Sequence, residues 1–110
     1  MTTHGVTLVV ARWWRPVTVE GYSMLPTYLP GEEIWARRLR RAPRVGEVVV
    51  ARDGRRPGHW IIKRVVAVSP AGVNLRGDNS EASTDSRDFG LVALRDVIYV
   101  VPHSGRTVTS

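Results

Sequence analysis

One serine and one lysine in this chain have settings that permit chemistry. Ser23 lies in Gly21-Tyr22-Ser23-Met24-Leu25-Pro26-Thr27, where the apolar residues follow neither a helical nor a strand period. A glycine two positions before it and a proline three positions after it bend the chain and hold the hydroxyl at the apex. A serine hydroxyl is a poor nucleophile unless a base takes its proton and N–H donors face the oxyanion. Glycine permits close backbone approach and a tight turn points successive N–H groups outward, so this bend supplies the second requirement in principle. Plain turn chemistry is the other reading of the same residues.

The base has to come from elsewhere in the chain. The sequence contains fifteen arginines and a single lysine, Lys63. In the predicted strand 59–68, alternation puts Lys63 on one face with Ile61, Val65 and Ala67, and puts Arg64 on the other beside Ile62 and Val66. If the Lys63 face is buried, desolvation favours the neutral amine; a fall from about 10.4 to about 8 corresponds to ~3 kcal/mol. Such a lysine is a general base near neutral pH. Arginine stays protonated in any protein environment, which is a chemical reason for the exception. The alternative is a lysine that snorkels its amine to the rim of the sheet. Of the three histidines, His4, His59 and His103, none lies in a triad or nucleophile-elbow context, although His59 directly precedes the Lys63 strand.

The elements that must position these groups read as short β runs punctuated by Gly, Pro and charged turns. Predicted strands cover residues 6–13, 17–20, 33–38, 47–52, 59–68, 73–76 and 96–101. Turn signals fall at 30–31, 43–46, 53–58 and 70–72, followed by a polar stretch at 77–88. No long segment has a 3.6-residue apolar period, so helix is limited to a single turn near residues 24–28. The expected fold is all-β, a small curled antiparallel sheet or barrel. The polar stretch has the composition of a loop held by its own hydrogen bonds, with Asp85 and Arg87 as a bracing pair.

At 110 residues and 12.3 kDa the chain is read as one domain, 1–110, with residues 103–110 expected to fray. The absence of cysteine excludes a disulfide scaffold, a thiolate metal site and a cysteine nucleophile. A net charge of +6 raises the question of nucleic acid, and its main source is Arg37, Arg38, Arg40, Arg41 and Arg44. No zinc-finger, basic-zipper or RNA-recognition pattern accompanies these residues. They read as a solvated basic turn, a site for an anionic lipid or protein, or a nonspecific phosphate contact, and no specific nucleic acid is expected. No apolar run approaches the ~20 residues of a membrane span, so the expectation is a cytoplasmic protein. Trp13 and Trp14, flanked by Arg12 and Arg15, either pack under the first strand or make a peripheral membrane contact.

Together, three segments resemble the type I signal peptidase family. Gly21-Tyr22-Ser23-Met24-Leu25-Pro26-Thr27 is similar to its nucleophile box and Ile62-Lys63-Arg64-Val65 to its general-base strand. Gly77-Asp78-Asn79, continuing through Asp85-Ser86-Arg87 to Phe89-Gly90, is similar to its conserved loop. The resemblance covers residues 19–90 in the family's order. It implies a serine endopeptidase with a Ser23/Lys63 dyad and with no metal or cofactor. It further implies that Ser83 orients the lysine amine, that Asp85 and Arg87 form a structural ion pair, and that the Ser23 amide with its neighbours Tyr22 and Met24 builds the oxyanion hole. Some members carry a hydroxyl two positions before the nucleophile; here that residue is Gly21, so the side-chain donor is missing. Typical members also have a membrane anchor and a longer β domain. This chain is similar instead to the short branch that matures nickel-type superoxide dismutase by removing a propeptide. The implied partner is a protein substrate with small residues before the cut, bound as an added strand. Two alternatives stay open: a self-cleaving repressor-type Ser/Lys protease, and a non-catalytic basic β-domain that binds RNA or an anionic surface.

Overall fold

The computed structural model describes residues 13–79 and 90–102. Six strands form one sheet: β1 Trp14–Thr18, β2 Glu33–Arg38, β3 Val48–Arg52, β4 Trp60–Ser69, β5 Gly72–Arg76 and β6 Val97–Val101. Their spatial order is β1-β2-β6-β3-β4-β5, each strand antiparallel to its neighbour. The all-β expectation holds, and the sheet is open, with β1 and β5 at its edges.

Alternation builds the core on both faces. Ile34 and Ala36 of β2 and Val48 and Val50 of β3 are buried with Val19, Met24, Tyr28 and Val101 on the first face. Val49 and Ala51 of β3 and Val65 of β4 join Val73, Leu75, Val92, Val97 and Val100 on the second. β3 contributes to both clusters, which explains its uninterrupted Val-Val-Val-Ala run at the centre of the sheet.

Strand boundaries differ from the sequence reading where a local device intervenes. The expected strand 17–20 begins earlier, at Trp14, and includes Pro16. Proline cannot donate to a ladder, and β1 tolerates it because β1 is an edge strand. In β4 the pairing with β5 shifts between Val65 and Ala67. This bulge reverses the alternation, so Ala67 is exposed rather than on the buried face with Lys63, and Val68 packs against the second cluster. A 3-10 turn at Leu94–Asp96, absent from the sequence reading, leads into β6. The expected helical turn near residues 24–28 is present as one hydrogen bond from Tyr28 N–H to the Met24 carbonyl at 3.0 Å. Residues 6–12 of the expected strand 6–13, and residues 103–110, expected to fray, lie outside the described residues.

Candidate active site

The chain between β1 and β2 forms the bend that carries Ser23. Gly21 adopts φ 73, in the left-handed region that a side chain disfavours, and so lets the chain reverse directly before Ser23. Val19 N–H bonds the Glu32 carbonyl at 2.8 Å and Gly31 N–H bonds the Val19 carbonyl at 2.7 Å, closing the base of the loop. Met24 is fully buried in the first core cluster and anchors the bend from the residue after Ser23. Tyr22 is exposed, and its carbonyl accepts from Leu25 N–H at 3.2 Å and from Asn79 Nδ2 at 3.1 Å.

The segment beyond β5 fixes the bend to the sheet. Asn79 N–H donates to the Ser23 carbonyl at 2.8 Å. Asp78 receives Arg64 Nε at 2.9 Å and Nη2 at 2.8 Å, and the Thr27 hydroxyl donates to the same carboxylate. Arg64 Nη1 also reaches the Gly46 carbonyl at 2.8 Å. The Arg64 guanidinium, assisted by Thr27, holds the Asp78 carboxyl below the usual carboxylate range against the opposing effect of burial. Asp78 in turn raises Arg64. The loop expected to be held by its own bonds therefore bonds outward at its described end, to β4 and to the Ser23 bend.

Lys63 is the residue before Arg64. The last β4–β5 pair is Arg64 with Arg76, so β5 leaves β4 just where Lys63 begins. Lys63 pairs across from Val49, shares its face with buried Val65, and is only 5% exposed. The expectation of a buried lysine face is met at this position, and snorkelling to solvent is not. Ser23 and Lys63 line one cleft of about 570 Å³. Val17, Val50, Ile62 and Tyr99, of the first core face, give it an apolar floor. The register puts Lys63 on the second face with Val49 and Val65, and Glu20 also lines the cleft. Among the described residues no strand pairs with residues 60–63 on their β5 side, and β1 likewise has one open edge. The cleft therefore lies between two backbone edges. Across the antiparallel order these two strands run in the same sense.

The family described as signal peptidase, peptidase S26, matches residues 1–78. The chain belongs to the signal peptidase family. The matched region contains Ser23, Lys63, Arg64 and Asp78, and membership makes the chain signal-peptidase-like at the level of the family. Comparison with curated proteins finds no match. Among the described residues no helix is long and apolar enough to cross a membrane, and no cluster of His, Asp and Glu is arranged to hold a metal ion.

Ser83, Asp85 and Arg87 lie outside the described residues. Reasoning from sequence missed Arg64–Asp78. The available signal was an arginine alternating with Ile62 and Val66, since a half-buried guanidinium on an apolar strand needs a carboxylate partner. It also missed Arg55 and Arg56 as part of the Lys63 cleft, whereas His59, which the sequence places directly before the Lys63 strand, lines that cleft as well. His59 is exposed, unlike Lys63. Trp13 and Trp14 are half-buried, and the Arg40 guanidinium stacks 4.1 Å from the Trp13 ring centre.

Proposed function

We propose that this protein is a serine endopeptidase in which Ser23 is the nucleophile and Lys63 the general base, and that it removes an N-terminal extension from a partner protein. The observation that carries the reading is the placement of Ser23 and a nearly fully buried Lys63 on one cleft. Removal from water disfavours the ammonium, which is the condition for a lysine to accept a proton near neutral pH. Ser23 Oγ attacks the scissile carbonyl while Lys63 Nζ takes its proton. The tetrahedral intermediate collapses, and the Lys63 ammonium returns that proton to the departing amine. Water then attacks the acyl-enzyme, loses a proton to Lys63, and releases the new carboxylate with Ser23 restored. The Ser23 amide is the proposed oxyanion donor, with Gly21 and Tyr22 shaping the backbone around it.

The two facing strand edges suit a substrate bound as an added strand, whose main-chain bonds supply affinity independent of sequence. The apolar floor of Val17, Val50, Ile62 and Tyr99 suits small apolar side chains next to the cut. A nickel superoxide dismutase precursor is the substrate we propose, on the resemblance to the short maturation branch. The test is cleavage of that precursor, and of peptides with alanine at the first and third positions before the bond, by the parent protein, Ser23→Ala and Lys63→Arg. Loss of turnover in both variants with unchanged unfolding midpoints supports the dyad. Normal processing by either variant would rule it out. Cleavage of the peptides but not of the precursor would remove only the substrate assignment. Salt-dependent RNA binding that survives both substitutions, in a protein inert to peptides, would instead favour a basic binding domain.

A further inference from the structure

The two ends of the cleft differ in charge. Glu20 lies between the end of β1 and Ser23, whereas Arg15 is at the start of β1 and Arg55, Arg56 and His59 precede the start of β4. Because β1 and β4 run in the same sense, these last four residues gather at the end remote from Ser23, and all five line the cleft. The register shows how β1 presents its cation: Arg15 pairs with Ala36 and Val17 with Ile34, so Arg15 lies on the face of the first core cluster, above the cleft floor. The cations on the other side come from a pinned turn. Asp53 N–H bonds the His59 carbonyl at 2.9 Å, Arg56 N–H bonds the Asp53 carbonyl at 3.1 Å, and His59 N–H bonds the Arg56 carbonyl at 3.0 Å. The Asp53 side chain, only 6% exposed, accepts from Arg55 N–H at 3.0 Å and has Arg55 Nε at 3.6 Å. Asp53 is therefore engaged within the turn that it shapes, while Arg56 and Arg15 are exposed at the cleft.

From this arrangement we infer that the end of the cleft remote from Ser23 is a subsite for an acidic side chain, which selects substrates carrying Asp or Glu a few residues from the scissile bond. The inference rests on the protease reading for its meaning. Trp60 lies three residue steps before Lys63, or ~10 Å at about 3.3 Å per residue, and the turn lies beyond. An extended peptide with its carbonyl at Ser23 thus reaches the cations about three to five residues from the cut. A fixed turn loses little freedom when it pairs with a carboxylate, which favours this site over the exposed arginines elsewhere.

The experiment uses quenched peptides with alanine at the first and third positions before the cut, with Asp, Gln or Lys placed three to five residues away on either side in turn. Cleavage is measured with the parent protein, and binding of the same peptides is measured by fluorescence anisotropy with Ser23→Ala, so the charge preference is read even if no peptide is cleaved. At one of the scanned positions, Asp is expected to exceed Lys about fivefold in kcat/KM and in affinity, a difference that shrinks as salt rises from about 50 to 500 mM. Arg56→Glu and Arg15→Glu are expected to reverse the preference. Arg44→Glu and Arg95→Glu make the same charge change outside the cleft and are expected to leave it intact, which separates the subsite from the overall positive charge. Equal response to Asp and Lys, binding of neither, or the same loss from the outside substitutions overturns the inference. Displacement of the peptide by a single-stranded oligonucleotide, without Asp over Lys discrimination, also overturns it and assigns the cations to phosphate. Absence of cleavage together with Asp-selective binding leaves the subsite standing and removes the protease reading alone.

Discussion

Arg64 grips Asp78 through two parallel hydrogen bonds, Nε to Oδ1 at 2.9 Å and Nη2 to Oδ2 at 2.8 Å. The pair joins the strand that carries Lys63 to the segment whose next residue, Asn79, bonds the Ser23 carbonyl. Ser23 and Lys63 lie forty residues apart in sequence, and this linkage fixes one relative to the other. A point charge cannot reproduce the fork, so Arg64→Lys is a severe substitution here. The Arg64 side chain is 35% exposed and Asp78 16%, so solvent screening reduces the expected cost. Arg64→Lys and Asp78→Asn are each expected to lower unfolding free energy by about 1–2 kcal/mol in urea titrations. Their effect on peptide cleavage should appear in kcat more than in KM, since the linkage positions the proposed reacting groups rather than substrate. A kcat equal to the parent's in either variant would remove the positioning role.

Acid should weaken the fold through two carboxylates. Asp78 is held below its ordinary pKa first by the Arg64 hydrogen bond and then by Thr27. Glu47 is held down first by the Arg41 side chain, at 2.6 and 3.0 Å, and then by the Arg44 N–H. A depressed folded-state pKa stabilises the native protein fully above the unfolded value and ceases to do so as pH falls through the folded one. The urea midpoint is therefore expected to stay level from about pH 7 to 5 and to drop below about pH 4, near and under the unfolded values of Asp and Glu. The double substitution Asp78→Asn with Glu47→Gln should flatten that drop. An acid limb of unchanged steepness in the double variant would count against both pairs.

Much of this architecture can be read from local pattern. The alternation in β2 and β4 and the Gly and Pro punctuation place the strands, and the Ser23 bend is visible as an aperiodic stretch between glycine and proline. The contrast of one lysine with fifteen arginines marks Lys63 before any geometry is known. Tertiary context decides what pattern alone leaves open. Pro16 argues against a strand until β1 is known to be an edge. The bulge after Val65 reverses the faces of Ala67 and Val68, and alternation within one strand carries no sign of it. The Arg64–Asp78 pair spans fourteen residues across two strands, and only the β4–β5 register brings it together.

Lys63 is the proposed base, and a substitution that keeps its shape separates that role from packing. Its side chain is almost wholly removed from water beside Val49 and Val65. Methionine matches its length without the amine, so Lys63→Met keeps the packing and is expected to change unfolding free energy by no more than about 1–2 kcal/mol, the scale of one lost hydrogen bond. The same variant should lose cleavage by a factor of about 10³ or more, the scale of losing an acid–base partner of an activated nucleophile. A stability loss of about 3 kcal/mol, typical of breaking a buried pair, would mean that the amine is held charged against a partner and would argue against its role as a base.

Gly21 separates backbone strain from side-chain chemistry at the proposed nucleophile. Its φ of 73 disfavours any side chain, yet a Cβ built there meets nothing within 4 Å. Substitution therefore tests conformation without a clash. Gly21→Val should cost about 1–2 kcal/mol or shift the bend, whereas Gly21→Asn should cost less because asparagine tolerates the left-handed region. In cleavage assays Gly21→Ala is expected to reduce kcat by letting the Ser23 amide relax away from the oxyanion position. Gly21→Ser carries the same strain as Gly21→Ala and adds a hydroxyl two residues before the nucleophile. If the oxyanion hole is short of a side-chain donor, Gly21→Ser should turn over faster than Gly21→Ala at matched stability. Equal rates in the two variants would mean that backbone donors alone stabilise the oxyanion in this protein.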